Sequence, residues 1–193
     1  MVRRALAIGA DSGDVDAAAS AVDEVADVFG RLDVVVNNAG VFMVGPIEDL
    51  GTAEFDRTVA VNVRAPYAVS RAAARYMGDG GRIISIGSNM AERAVFPGFA
   101  LYALSKTALV GMTKGLAREL GPQGITVSLV HPGPTDTEAN PVDGPNAQAI
   151  SALTALGRYA TTDEIAAVVS FLAGEDGRYV TGATINADGG FTI

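Results

Sequence analysis

Asp33-Val34-Val35-Val36-Asn37-Asn38-Ala39-Gly40 is a short β-branched run ending in Asn-Asn-Ala-Gly. It reads as a buried strand that opens into a loop. Two further runs have the same form. Arg82-Ile83-Ile84-Ser85-Ile86-Gly87-Ser88 is an apolar strand ending in Gly-Ser. Gly124-Ile125-Thr126-Val127-Ser128-Leu129-Val130 is another, and it runs into His131-Pro132-Gly133-Pro134-Thr135. Between these strands the apolar residues change to helical spacing, over Thr52–Met77 and Phe99–Leu120. Thr162–Ala173 is a helix with Ile165, Val168, Val169 and Leu172 inward, and Ala183–Asn186 is a last strand. Strands alternating with helices predict an α/β fold around a parallel sheet.

Asp14–Phe29 has Val15, Ala18, Val22, Val25 and Phe29 on one face, acids on the other, and Gly30 as its stop. Thr52 is an expected N-cap for the long helix. Pro66 lies inside that helix and predicts a kink just after Asn62, because a proline cannot donate to the carbonyl four residues back. Pro132–Gly144 reads as a loop and Asn146–Leu156 as a short helix. No repeat or linker divides the 193 residues, which are read as one domain, 1–193.

Hydrophobic residues make up 49% of the chain, so it is globular rather than disordered. No apolar run reaches the length of a membrane span, and no export signal opens the chain, so neither membrane nor secretion is expected. Absence of cysteine fits a reducing cytoplasm. A formal charge of −8 argues against nucleic acid as partner, since phosphate backbones need clustered Lys and Arg. Heavy use of Ala and Arg suggests a bacterial gene of high GC content. One histidine and scattered acids give no metal-ligand spacing, and no metal is expected.

The chemistry-bearing stretch is Tyr102-Ala103-Leu104-Ser105-Lys106. In a helix, positions i and i+4 share a face one turn apart. An ammonium there favours a neighbouring phenolate, which predicts a Tyr102 pKa tuned down from about 10 toward proton transfer near neutral pH. Lys106 is one of only two lysines, with Lys114. Ser88, fourteen residues before Tyr102, ends its strand, whereas Ser85 lies inside it.

Asn-Asn-Ala-Gly at 37–40, Asn62 in mid-helix, strand-end Ser88, Tyr102-x-x-x-Lys106 and Pro132-Gly133 form an ordered set. The set resembles the short-chain dehydrogenase/reductase family, single-domain branch, from Ala5 to Gly190. The Ser-to-Tyr interval is one residue longer than the family commonly has, which a loop containing Pro97 and Gly98 absorbs. The resemblance implies a Rossmann-type doubly wound parallel sheet. It implies an NAD- or NADP-dependent oxidoreductase acting on a small-molecule ketone or secondary alcohol, with reduction of a 3-oxoacyl thioester as one sub-reading. It also implies a homotetramer or homodimer, with the helices at Thr52–Met77 and Phe99–Leu120 pairing between copies and the Phe191-Thr192-Ile193 tail buried at a partner.

In that resemblance Tyr102 is the acid/base, Ser88 a donor to the developing oxyanion, and Lys106 a holder of the nicotinamide ribose. Asn62, at the helix kink, completes a proton relay. Asn38, Ala39 and Gly40 lie along the adenosine side of the cofactor. Asp11 either accepts from the adenine or simply caps the helix after Gly13-Asp14. Pro132, Gly133 and Thr135 border the nicotinamide. His131 is read as structural. Enoyl reduction is disfavoured because that branch spaces its Tyr and Lys more widely. Sugar-nucleotide epimerisation is disfavoured because too little chain follows Lys106 for a substrate domain.

The family's glycine-rich dinucleotide loop has no counterpart here. Leu6–Ala10 looks like the family's third strand, so the first βαβα unit, roughly 50 to 60 residues, is not in this stretch. A late start site, a fragment and a truncated relative each account for that. The last gives a second reading, a non-catalytic scaffold or subunit that cannot hold the pyrophosphate. Expressed from Met1 alone, the chain is then expected to fold poorly, to bind no dinucleotide, and to leave an open edge at Val34–Asn37.

Overall fold

The computed structural model describes residues 4–193. Asp14 starts the first helix, α1 (Val15–Phe29), by accepting from the backbone of Asp16 and Ala17, both at 3.1 Å. Two free N–H groups of the first turn are thereby satisfied. Gly30, at φ 76°, ends it in the left-handed conformation that favours glycine. Strand β1 (Val34–Asn37) follows, then the long helix in three parts: α2 (Thr52–Val59), a single π turn (Ala60–Arg64) and α3 (Ala65–Ala73). The predicted kink is this π turn. Pro66 has no N–H to give to Asn62, and Ala65 donates instead to Ala60, five residues back. Thr52 is not the N-cap; Gly51 is, with Glu54 accepting from its N–H at 3.0 Å.

Strand β2 (Arg82–Ile86), α4 (Ala100–Leu120), β3 (Thr126–Pro132), α5 (Ala147–Ser151), α6 (Thr162–Ala173) and β4 (Ala183–Ala187) complete the order. All four strands are parallel, in spatial order β1-β2-β3-β4. Successive residues serve opposite faces. Ile83 and Val127 pack with Val22, Ala73, Ala117 and Leu120 of α1, α3 and α4. Ile84 and Val130 pack with Leu172, Val168 and Val169 of α6. Helices on both faces of a parallel sheet make a Rossmann-type layered fold.

Leu6–Ala10, expected as a strand, is not one; it forms no ladder, and Leu6 is exposed. Among the described residues no strand lies beside it to take its N–H and C=O groups, and a lone strand is not stable. Among the described residues the expected open edge is present on β1, which pairs only with β2. Val35 is buried in the α1/α3 core, while Val34 and Val36 point to the other face and are 37% and 43% exposed.

Candidate active site

Parallel strands end together, and the loops that leave their carboxyl ends line a cleft of about 360 Å³. Asn38 and Gly40 come from the β1 loop, Gly87 and Ser88 from the β2 end, and Pro132, Gly133 and Thr135 from the β3 end. Tyr102 and Lys106 enter from α4. Asp11, Ala39 and Asn62, also singled out in the sequence, do not line it.

Lys106 is buried, and its Nζ donates to the Ile86 carbonyl at 2.9 Å. That is its one hydrogen bond among the described residues, so two of its three donors have no protein acceptor. Burial pulls its pKa down to about 8. Nζ stands 5.8 Å from the centre of the Tyr102 ring. Burial pushes the Tyr102 phenol up, and the neighbouring Ser88 hydroxyl lowers it in part. The downward tuning expected from Lys106 is therefore not what the chain produces by itself. The ammonium is turned to the Ile86 carbonyl, and desolvation dominates at the phenol.

Ser88 accepts from the Met90 N–H at 3.2 Å and starts a short 3₁₀ turn over Asn89–Ala91. Its hydroxyl donates to Asn89 Oδ1 at 3.3 Å. Ser85 is fully buried and faces Asn37, whose Nδ2 donates to it at 3.2 Å. Asn62 lies beneath the cleft. Its Oδ1 accepts from Val41 N–H at 2.8 Å, and its Nδ2 donates to the Val41 carbonyl and Ser105 Oγ, both at 3.0 Å. The side chain thus fastens the β1 loop to α4.

A Cβ on Gly40 would lie 3.3 Å from both Asn62 Oδ1 and Lys106 Nζ. The bare backbone there keeps a floor open next to two free ammonium donors. Such a floor suits a polyhydroxyl group of a nucleotide. Gly133 is needed for a different reason: a Cβ would meet the Asp188 backbone at 2.5 Å. Thr135 spends its hydroxyl proton on the Gly133 carbonyl at 3.0 Å, which fixes the β3 loop.

Asp11 remains exposed, well away from the cleft lining. Its Oδ1 accepts from Gly13 N–H at 2.7 Å, and the carboxylate meets Arg57 at 3.4 Å. The Gly13 hydrogen bond, and then Arg57, hold its pKa below the usual value. The local turn-forming role is the one visible; Asp14 does the capping.

His131 is fully buried behind Gly87, where a Cβ would touch its ring. Burial pulls its pKa down although Glu92 lies 3.6 Å from Nδ1, so the ring is neutral at pH 7. Among the described residues no group of His, Cys, Asp and Glu is placed to hold a metal.

Sequence reasoning missed the aromatic wall. Phe42 lies edge-to-face on Tyr102, with ring centres 4.9 Å apart at 80°. Phe99 meets Phe42 at 5.7 Å and 67°. The signal was available: Phe96, Phe99 and Tyr102 repeat every three residues, and Phe42 follows Gly40 by two. Phe191 was read as part of a partner-facing tail, yet it is fully buried in its own chain and lines the cleft. Its carbonyl accepts from Arg93.

A cleft at the carboxyl edge of an open parallel sheet is where dinucleotide-binding α/β proteins take their ligand. The chain belongs to the short-chain dehydrogenase/reductase family. A family model described as enoyl-(acyl carrier protein) reductase matches residues 2–192. The chain is 44% identical over 187 residues to the cyclic-di-GMP-binding biofilm dispersal mediator protein of Escherichia coli K12, covering 97% of this chain and 77% of that one. It is 38% identical to D-threitol dehydrogenase of Mycolicibacterium smegmatis, over 95% of this chain and 71% of that protein. A crystal structure of a short-chain dehydrogenase from Burkholderia cenocepacia J2315 in complex with NADP superposes with a TM-score of 0.97. The two are 51% identical, over 99% of this chain and 78% of that one.

Proposed function

We propose that the chain interconverts a ketone and a secondary alcohol with NAD(P), NADP(H) being the form bound in the Burkholderia relative. The observation that carries this reading is the meeting of Ser88, Tyr102 and Lys106 in one cleft, where Gly40 leaves the space beside Lys106 clear of a side chain. When bound, the dinucleotide supplies or takes the hydride. The Lys106 donors left free by Ile86 would hold the nicotinamide ribose, with Asn38, Gly40, Pro132, Gly133 and Thr135 bordering the cofactor. In reduction, Tyr102 gives its phenolic proton to the substrate oxygen while Ser88 donates a hydrogen bond to the same oxygen. A phenol held protonated by burial suits that direction. Asn62 acts by holding Val41, and hence Gly40, in place; its backbone at the π turn is the candidate end of a proton relay from Lys106.

The chain is further read as cytoplasmic and as a homo-oligomer. No helix among the described residues is long and apolar enough to cross a membrane. Exposed Phe55, Tyr67 and Leu104 on α2, α3 and α4 supply apolar surface for pairing between copies. Light scattering that reports only a monomer at micromolar concentration would end the oligomer reading.

The deciding experiment titrates the chain with NADPH and follows carbonyl-dependent loss of its absorbance. A second arm uses a chimera that joins to the chain the part of the Burkholderia relative outside the matched 78%. Turnover that vanishes in Tyr102→Phe with NADPH affinity kept supports the reading. No dinucleotide binding in either arm would favour a non-catalytic role.

A further inference from the structure

The cleft has one wall that neither proton nor hydride transfer uses, and it is aromatic. Phe42, Phe96 and Phe99 come from the β1 loop, the loop before α4 and the N-cap of α4. They form one continuous cluster: Phe42 on Tyr102, Phe42 on Phe99, and Phe99 on Phe96 at 5.9 Å. The cluster therefore begins at the ring of the proposed acid. A group attached to the carbonyl carbon, with the carbonyl oxygen at the Tyr102 hydroxyl, is carried against it.

Phe42 is 54% exposed although it sits over the cleft. An aromatic face left in water beside a cavity gains free energy when a ligand covers it. The ring geometry favours one kind of cover. The existing pairs meet edge-to-face at 67° and 80°, which leaves ring faces and edges for another π system. Charge selects in the same direction: among the described residues Lys106 is the only charged side chain on the lining, and it faces Ile86 and the Gly40 floor. A carboxylate, phosphate or sugar acid would find no cation on the aromatic side.

We propose that the substrate is an aryl ketone, or the benzylic alcohol in reverse, and that Phe42 is the residue that selects it. This rests on the hydride-transfer reading above. In reduction the ketone gains a C–H bond from the hydride of NADPH, which becomes NADP⁺. It gains an O–H bond from the Tyr102 proton, and its C=O π bond breaks. A later proton from water restores the phenol.

The test compares 1-phenylethanone with 1-cyclohexylethanone, which has the same skeleton without the π system, and with a 3-oxobutanoyl thioester. The expected result is a kcat/KM preference for the phenyl ketone of about tenfold over the cyclohexyl ketone. Phe42→Leu keeps the apolar bulk and removes the ring, so it should bring the two ketones to within about threefold of each other. Thioester turnover equal to or better than phenyl, or a preference unchanged in Phe42→Leu, would overturn the proposal. Saturation-transfer NMR on the chain without cofactor gives an independent readout. Transfer to the phenyl protons should be present, and weakened in Phe42→Leu. If that transfer is seen while no ketone is reduced, the hydride-transfer reading fails and the aromatic site stands. If ketones are reduced without it, the aromatic site fails and the oxidoreductase reading stands.

Discussion

Strands β1 and β3 belong to one sheet and bear the two sides of one cleft, yet they are built differently. Val127, Leu129, Val130 and His131 of β3 are wholly buried, between α4 on one face and α6 on the other. Strand β1 buries only Val35 and leaves Val34 and Val36 open, along with its outer edge. The difference follows from neighbours: helices cover both faces of β3, whereas β1 is packed through Val35 on one. Burial on both faces fixes a strand and so fixes the groups at its end. The side proposed for proton transfer, at Ser88, Tyr102 and Lys106, stands on strands and a helix packed from both sides. The side proposed for the nucleotide, at Asn38 to Gly40, stands on a half-covered strand, and the Asn62 side chain holds its loop at Val41.

If that contrast is right, the largest effect comes from the well-packed side. Tyr102→Phe should lower turnover by about 10² to 10⁴ while NADPH affinity and the melt stay near wild type. Steady-state kinetics and titration check this, and more than a tenth of activity remaining would refute the assignment.

Gly133→Ala sharpens the comparison at the β3 end. Its Cβ would press on the Asp188 backbone, which cannot move aside as a flexible side chain can. A loss of about 1 to 3 kcal/mol in denaturant unfolding is expected. Asn62→Ala tests the β1 loop: it strands the Val41 N–H and carbonyl and should cost roughly 1 to 3 kcal/mol. NADPH affinity should fall with it, whereas Tyr102→Phe leaves that affinity alone.

A pH effect separates Lys106 from the rest. Its folded pKa of about 8 lies below the ordinary 10.5, so the folded state holds fewer protons in that window. Stability must then rise with pH between about 8 and 10.5, by up to about 3 kcal/mol, because the cost of burying the charge disappears. Lys106→Met should remove this slope in melts run across the window. The smallest effect is expected on the open face of β1, where Val36→Thr should shift stability by less than about 0.5 kcal/mol. The equivalent change at buried Ile84 should cost several times more.

The contrast also explains what could be read from the sequence. Elements with strong local signals were legible: Thr162–Ala173 was placed to the residue, and the kink at Asn62 followed from Pro66. Tyr102, Lys106 and Ser88, singled out by their order and spacing, line one cleft. Leu6–Ala10 was misread because its local pattern is strand-like, whereas a strand exists only with a neighbour to bond. The pKa of Tyr102 was misread because burial and the pull of Ile86 on Lys106 are tertiary facts. The aromatic wall joins Phe42 to Phe96 and Phe99 across more than fifty residues of sequence, and only folding brings them together.

The most direct test of the central claim is isotope transfer. The protein is given NADPH deuterated at the reactive hydrogen of nicotinamide C4, with 1-phenylethanone and a panel of other ketones, in ordinary water. The account predicts deuterium on the carbinol carbon of a product alcohol and protium on its oxygen, with no labelled alcohol formed by Tyr102→Phe. Alcohol formed without carbon-bound deuterium from either face of C4, or labelled alcohol undiminished in Tyr102→Phe, would contradict it.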